Sequence, residues 1–173
     1  MSTESRSVAA NLSWGAVAGT LATLALSATS SALYSRENWL SKGREEWARG
    51  GKTANRVAVN KLARAAGVDL SKAQATTAEG ALHFGIGAGA GAAYGAIRPH
   101  VPAPGIVKGL GFGATLWLVA DEGLNPALGL TPGPASFPWQ AHARGLVSHL
   151  VFGLATEGLL TLADRFRSRP PRA

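Results

Sequence analysis

Long apolar stretches, separated by polar or proline-rich segments, dominate this chain. Residues 8–33 carry no charged side chain, and residues 77–97, 105–120 and 144–163 are also mostly apolar. A helix of roughly 20 residues crosses the hydrocarbon core of a bilayer. The pattern therefore predicts an all-α, polytopic membrane protein in which a single domain, 1–173, forms a bundle of four transmembrane helices.

The first apolar stretch has a second interpretation, because Arg6 precedes it and small residues at 30–32 resemble a signal-peptide cleavage site. Its length, however, is well beyond the usual apolar core of about 7–15 residues. Small residues also recur along it at four-residue spacing, which favours a helix-packing face. We therefore expect a retained transmembrane helix.

The segments between these stretches are polar, basic or rich in proline. Residues 34–76 hold nine Lys and Arg against four Asp and Glu, and apolar positions such as Val57 and Leu62 recur there at helical spacing. This predicts an amphipathic basic helix between the first two transmembrane helices. It lies in the headgroup plane or packs as a solvated helix on the bundle, and both alternatives stay open.

Proline and charge predict the remaining connections and the orientation. The short segment 98–104 should make the second and third spans antiparallel neighbours, and 121–143 should be a proline-rich loop before a basic tail at 164–173. The side that holds the two longer connections collects ten Lys and Arg against six on the other side. The positive-inside rule then places both termini outside. Aromatic belts are expected at Trp14 and Tyr94 on one side, and at Tyr34, Trp117 and Trp139 on the other.

Glycines at four-residue intervals mark every predicted span. Such rows let helix backbones approach closely in a membrane, so we interpret them as helix-packing surfaces. Residues 85–91 superficially resemble a nucleotide-binding loop, but they follow no predicted strand, and no nucleotide site is expected. The packing glycines are Gly15, Gly19, Gly87, Gly91, Gly95, Gly105, Gly109, Gly113, Gly145 and Gly153.

Titratable residues concentrate at one membrane face if the spans alternate in direction. His83 and His149 then lie at similar depth, and three acids lie near the same ends of the spans. Glu157 is deeper, and we expect Lys108 to pair with it directly or through water. The predicted polar cluster consists of Glu79, His83, Asp121, Glu122, His149 and Glu157.

Four interpretations of this cluster stay open. The residues form hydrogen bonds that fix helix packing, or they form a protonatable switch. His83 and His149 would otherwise hold a divalent metal, or haem b through axial ligation. No cofactor or metal is predicted outright, and no nucleophile–base pair is legible, so we do not expect an enzyme.

Composition narrows the class further. The chain has 173 residues and no cysteine, and 46% of its residues are hydrophobic against 16% charged. The net charge of +7 comes from basic residues that flank the apolar stretches. Such clusters contact anionic lipid headgroups, so we expect the lipid bilayer as a partner and no nucleic acid.

Residues 82–164 resemble the YagU-like family of bacterial inner-membrane proteins. The similar features include Leu82-His83-Phe84, the run Gly129-Leu130-Thr131-Pro132, and His149 followed by Glu157. Asp121 and the long polar segment depart from the family pattern. The resemblance implies a multi-pass protein of the inner (cytoplasmic) membrane that is associated with acid tolerance, and it brings no catalytic residue.

Together these observations predict a non-enzymatic, structural or accessory subunit of a membrane complex, with an acid-stress role. Its partners would be other membrane-protein subunits, or a second copy that associates through glycine faces. The alternative is a small transporter or channel, or a haem- or metal-binding membrane protein, that uses His83, His149 and the carboxylates.

Overall fold

The computed structural model describes the backbone of residues 3–167 and the side chains of residues 8–166. The all-α prediction is confirmed, since the described residues form helices and contain no strand. The basic tail at 164–173 lies mostly outside the described residues. The helices are α1 (Thr3–Arg36), α2 (Trp39–Arg49), α3 (Ala54–Ala65), α4 (Lys72–Ile97), α5 (Gly105–Leu116), α6 (Asn125–Ala127) and α7 (Trp139–Arg167).

Two of the helices begin before the apolar stretches that are predicted as spans. α4 begins at Lys72 instead of 77, since Ser71 and Gln74 form a capping box that satisfies free backbone N–H groups. α7 begins at Trp139 instead of 144. The polar segment 34–76 forms two helices instead of one, because Gly50 and Gly51 adopt positive φ angles between them.

The third span also continues beyond its predicted end. A π-helix, Trp117–Leu124, joins α5 directly to α6, so the first part of the predicted proline-rich loop is helical. Short 3₁₀ turns at Arg98–His100 and Pro134–Ser136 complete the connections. Among the described helices, Val8–Arg36 and Trp139–Phe166 are long and apolar enough to cross a membrane by length and composition.

The glycine rows hold two antiparallel helix pairs together. A Cβ added to Gly91 would lie 2.3 Å from the Gly15 carbonyl oxygen, so α4 and α1 touch backbone to backbone. A Cβ added to Gly113 would lie 2.2 Å from the His149 carbonyl oxygen, which gives the same contact between α5 and α7. α1 also packs along α7 and connects the two pairs.

The closest partner of α4 is therefore α1, although the short 98–104 connection predicts α5. α4 and α5 do meet, through the ring of Tyr94 stacked on Phe112 with 4.2 Å between centroids. Tyr94 is only 3% exposed, so its predicted place in an interfacial belt is wrong. Small residues decide the pairing, because only they permit the backbone approach seen in the other two pairs.

The interior of the bundle contains several polar residues beside a small apolar core that includes Tyr94, Phe152 and Leu160, whereas its outside is largely apolar. Thr23, Ser148, Thr156 and Glu157 are buried, together with alanines and glycines. Large aliphatic side chains on α1, α4, α5 and α7 point outward and are exposed. Buried polar residues and large exposed apolar surfaces both depart from the usual pattern of a water-soluble protein. This bundle has both features.

α2 likewise turns polar residues toward the bundle and apolar residues away from it. Its polar residues Ser41 and Glu45, one turn apart, are each 3% exposed and face the bundle. Trp39 and Trp47, on the opposite side of the helix, are 82% and 85% exposed. The apolar side of α2 therefore faces the surroundings of the protein.

Candidate functional site

Two adjoining cavities lie where α2, α3 and the proline-rich segment meet one end of the bundle. Their volumes are about 220 and 280 Å³. We call the two together the chamber. Their linings have four residues in common: Ser30, Asp121, Asn125 and Gly145.

The π-helix supplies much of the chamber wall. Its last turn is closed by the Asn125 N–H, which donates to the Ala120 carbonyl five residues back. Trp117, Asp121 and Glu122 all line the first cavity from this element. π-Helical turns are rare and often occur at functional sites, and the hydrophobic pattern of the sequence gives no sign of this one.

Arg144 fixes the outer wall by pairing with acids from two other elements. Its guanidinium group contacts Glu37, at the end of α1, and donates to Glu45 Oε1 of α2 at 2.6 Å. The Tyr34 ring lies 4.9 Å from the Arg144 Cζ, so Tyr34 packs on this cation and does not form part of a simple aromatic belt. The sequence gives no sign of this cluster, since no spacing rule links residues 99 and 107 positions apart.

His83 lies in the wall of the second cavity and is held through both ring nitrogens. Its Nδ1 accepts from the Asn55 amide at 3.4 Å, and its Nε2 lies 3.0 Å from the Ser27 hydroxyl. Since an amide nitrogen only donates, Nε2 carries the proton. Glu79, one turn away, is paired with Arg56 of α3 at 2.8 Å and does not line either cavity.

Three other members of the predicted cluster, Asp121, Glu122 and His149, take part in two separate pairs. His149 donates from Nδ1 to the Gly145 carbonyl at 2.9 Å, and the same nitrogen lies 3.6 Å from Asp121 Oδ2. Glu122 contacts His142 Nδ1 at 2.7 Å, a partner that the sequence analysis did not single out. Five of the six predicted residues thus lie at one end of the bundle, as three pairs and the separately held His83, and they do not form one cluster.

The geometry gives little support to the metal or haem interpretation. Among the described residues, no group of three or more His, Cys, Asp or Glu side chains is arranged to hold a metal ion. A histidine ligand needs a free nitrogen lone pair, and both nitrogens of His83 already have protein partners.

Buried polar atoms without a hydrogen-bond partner are concentrated around the chamber. The described residues contain four such atoms: Glu45 Oε2, Arg49 Nε, Trp117 Nε1 and Ser148 Oγ. The first three belong to residues of the first cavity, and Ser148 lines the second. Buried polar groups normally find a partner in the protein, in water or in a ligand, so this end of the molecule suits a polar occupant.

Glu157 belongs to a different network at the opposite end of the bundle. It accepts from Arg98 Nε at 2.7 Å and Nη2 at 3.1 Å, and from the Tyr94 hydroxyl at 2.6 Å. Lys108, the predicted partner, donates to the Arg98 backbone carbonyl, and the ion pair that Glu157 forms in the structure is with Arg98. The planar guanidinium group of Arg98 forms a two-point contact with the carboxylate.

Arg98 also contacts Asp164, with 2.6 Å between Nη1 and Oδ2. Burial alone would lower the pKa of Arg98, but its hydrogen bonds to Glu157 and Asp164 outweigh this effect and raise that pKa above its usual value. The guanidinium group therefore stays charged, and the network joins α4 to α7 as a structural clamp.

Comparisons with protein-family models, with curated proteins and with solved structures give no match for this chain. Functional inference therefore depends on two features of the molecule. One is the chamber, and the other is the apolar outer surface of the bundle.

Proposed function

We propose that the protein is a non-enzymatic integral membrane protein with four transmembrane helices, whose chamber binds a small hydrophilic solute near one membrane face. The chamber is the observation that carries this proposal. It combines two cavities, each lined by both polar and apolar side chains, with all four unpartnered buried polar atoms of the described residues. Sites of this kind between bundle helices are common places for ligands.

The outer surfaces of α4 and α5 support two further spans besides α1 and α7. Ile86 on α4, and Ile106, Val107 and Leu118 on or directly after α5, are between 47% and 65% exposed. Exposure of these side chains to lipid has no hydrophobic cost, whereas exposure to water costs roughly 25 cal/mol of free energy per Å² of apolar surface. We assign the spans to 8–36, 77–97, 105–120 and 139–166, with the tryptophan face of α2 in the headgroup layer.

The basic residues of the segment between α1 and α4 favour the cytoplasmic side for the chamber, with both termini outside. The resemblance to YagU-like proteins supports the bacterial inner membrane as the location. Anionic headgroups of that membrane are the lipid partners that these basic residues suit.

A solute-binding function fits better than that of an accessory subunit. An accessory subunit would offer its glycine faces to another chain. Here Gly15, Gly19, Gly87 and Gly91 contact one another, and Gly109 contacts Gly153 in the second pair. These faces are occupied within the chain, so a partner could reach them only if the pairs separated.

Cysteine accessibility tests the proposal directly, because the natural chain has no cysteine. Ser30→Cys and Asn125→Cys place a thiol in the wall that both cavities have in common. In membrane vesicles, a charged thiol reagent should modify both variants. Leu21→Cys, on the exposed apolar side of α1, is the lipid-facing control and should stay unmodified. Equal protection of all three thiols would contradict a water-filled chamber.

An acid-stress role is a second candidate that the two histidine–carboxylate pairs favour. Protonation of His149 or His142 would strengthen its contact with Asp121 or Glu122. Cells that carry His149→Ala should then lose more survival at low pH than at neutral pH. A loss of the same size at both pH values would count against this role.

A further inference from the structure

We infer that the chamber takes a small organic cation of the amine or guanidinium class, with Asp121 as its main counter-charge. This inference rests on the proposed solute-binding function and adds the chemical class of the solute. Charge, hydrogen-bonding capacity and cavity size each support it.

The chamber carries an excess of negative charge. The wall of the first cavity holds the carboxylates of Glu45, Asp121 and Glu122 against the guanidinium groups of Arg49 and Arg144. Arg144 also pairs with a further acid outside the lining, at the end of α1. Since each buried charge needs an opposite charge nearby, a cationic occupant is favoured over an anionic one.

Asp121 has unused capacity for hydrogen bonds and lies in the walls of both cavities. Its Oδ1 accepts one long hydrogen bond, 3.4 Å, from the Asn125 amide. Its Oδ2 lies 3.6 Å from a His149 nitrogen that already donates to a backbone carbonyl. Glu157, at the other end of the bundle, accepts from Arg98, Tyr94 and Thr161 and has little capacity left.

Two further oxygens without partners belong to residues that line the same cavities as Asp121. Ser148 is 2% exposed and lines the second cavity, and its Oγ has no hydrogen-bond partner in the described part of the chain. Glu45 has a side chain that is 4% exposed and lines the first cavity, where its Oε2 lacks a partner. Both oxygens can accept hydrogen bonds from an ammonium or guanidinium group.

The acids are too dispersed for a metal ion, which requires several oxygen ligands around one point. Within the described residues no such group exists. An organic cation can instead present separate donors to separate oxygens. A dry cavity of about 150 Å³ accommodates benzene, so cavities of about 220 and 280 Å³ each admit a molecule of that size.

Three probes of similar shape and different charge test the inference on the purified full chain in detergent. Benzylammonium, benzyl alcohol and benzoate are compared by calorimetric titration. We expect benzylammonium to bind at least about tenfold more tightly than either other probe, a difference of roughly 1.4 kcal/mol. Equal affinity for all three, or a preference for benzoate, would overturn the inference.

Substitutions then assign the binding to the chamber. Asp121→Asn should remove the preference for benzylammonium, whereas Asp121→Glu, which keeps the charge, should retain it. Asp69→Asn makes the same chemical change at an exposed position in the connection between α3 and α4 and should leave binding unaltered. Retained selectivity in Asp121→Asn would refute the assignment, and circular dichroism checks that each variant is folded.

Failure of the inference can be distinguished from failure of the proposed function. If the chamber cysteines are modified but none of the probes is selected, the chamber is hydrated and the cation assignment is wrong. If the cysteines are protected and no probe binds, both proposals are wrong.

Discussion

The tightest contact between α5 and α7 lies at Gly153, where an alanine would force the two helices apart. A Cβ built there lies 2.1 Å from the Gly109 carbonyl oxygen and 2.7 Å from the Gly113 nitrogen. Ordinary contacts begin at 3.4 Å, so the backbones must separate by about 1.3 Å at this point. The clashing atoms belong to backbone, which cannot turn aside as a flexible side chain does.

Gly158, on the same helix, provides a matched control because a Cβ built there meets no atom of another helix within 4 Å. Either alanine gains helix propensity, worth about 1 kcal/mol. Overpacking at Gly153 costs typically about 1–3 kcal/mol. The difference in stability between Gly153→Ala and Gly158→Ala should therefore be about 1–3 kcal/mol, with Gly153→Ala the less stable.

Thermal unfolding of the two variants in the same detergent measures this difference. For a chain of this size, 1 kcal/mol shifts the melting temperature by roughly 2–4 °C. Gly153→Ala should melt about 2–12 °C below Gly158→Ala. Equal melting temperatures would show that α5 and α7 do not cross at Gly153, and the antiparallel register of the second helix pair would then be wrong.

Three further predictions follow from the clamp, the chamber and α2. Glu157→Gln leaves Arg98 without its buried counter-charge and should cost about 3–5 kcal/mol of unfolding free energy, whereas Asp164→Asn, at a side chain 52% exposed, should cost less than about 1 kcal/mol in the same melting assay. Burial raises the pKa of Asp121 above its ordinary 3.8, so benzylammonium binding should be present at neutral pH and should weaken as the pH falls, starting above 3.8; affinity that stays constant down to pH 4 would contradict this. Trp47→Phe should reduce fluorescence quenching by lipids brominated near the headgroup, and unchanged quenching would show that α2 lies outside the bilayer.

Much of the helix packing could be predicted from the sequence because close backbone contact admits almost only glycine. Gly15, Gly87 and Gly91 are at the α1–α4 contact, as their spacing indicates. Gly145 differs: a Cβ there would meet the Trp117 indole nitrogen at 3.0 Å, so this glycine makes room for a side chain of the π-helix and not for the backbone of another helix.

The site could be predicted only in outline. Helix direction and rise place His83 and His149 at the same end, and both line the second cavity. Two of their partners, however, are Asn55 of α3 and Asp121 of the π-helix, and the hydrophobic period does not place either residue beside a histidine. Arg144 shows the same limit, because its acids are far away in sequence and only the folded chain brings them together.

The π-helix escaped prediction for a related reason. It continues the apolar stretch of α5 into Asp121 and Glu122, which read as the end of a transmembrane helix. The change from α-helical to π-helical hydrogen bonds has no signature in amino-acid composition. The sequence therefore shows only the two acidic residues, Asp121 and Glu122. The structure adds that this charge faces a cavity and not the aqueous phase beyond a helix end.

The last long helix supplies the counter-charge at both ends of the bundle, and this constrains how the protein is made. Glu37 can pair with Arg144 only after a further 107 residues have been synthesised, and Arg98 can pair with Glu157 only after a further 59. At about 5–20 residues per second, a ribosome needs roughly 5–20 s to bridge the longer gap. During that interval Glu37 lacks its cationic partner, so the contact that ties the junction of α1 and α2 to α7 can form only after α7 has been made.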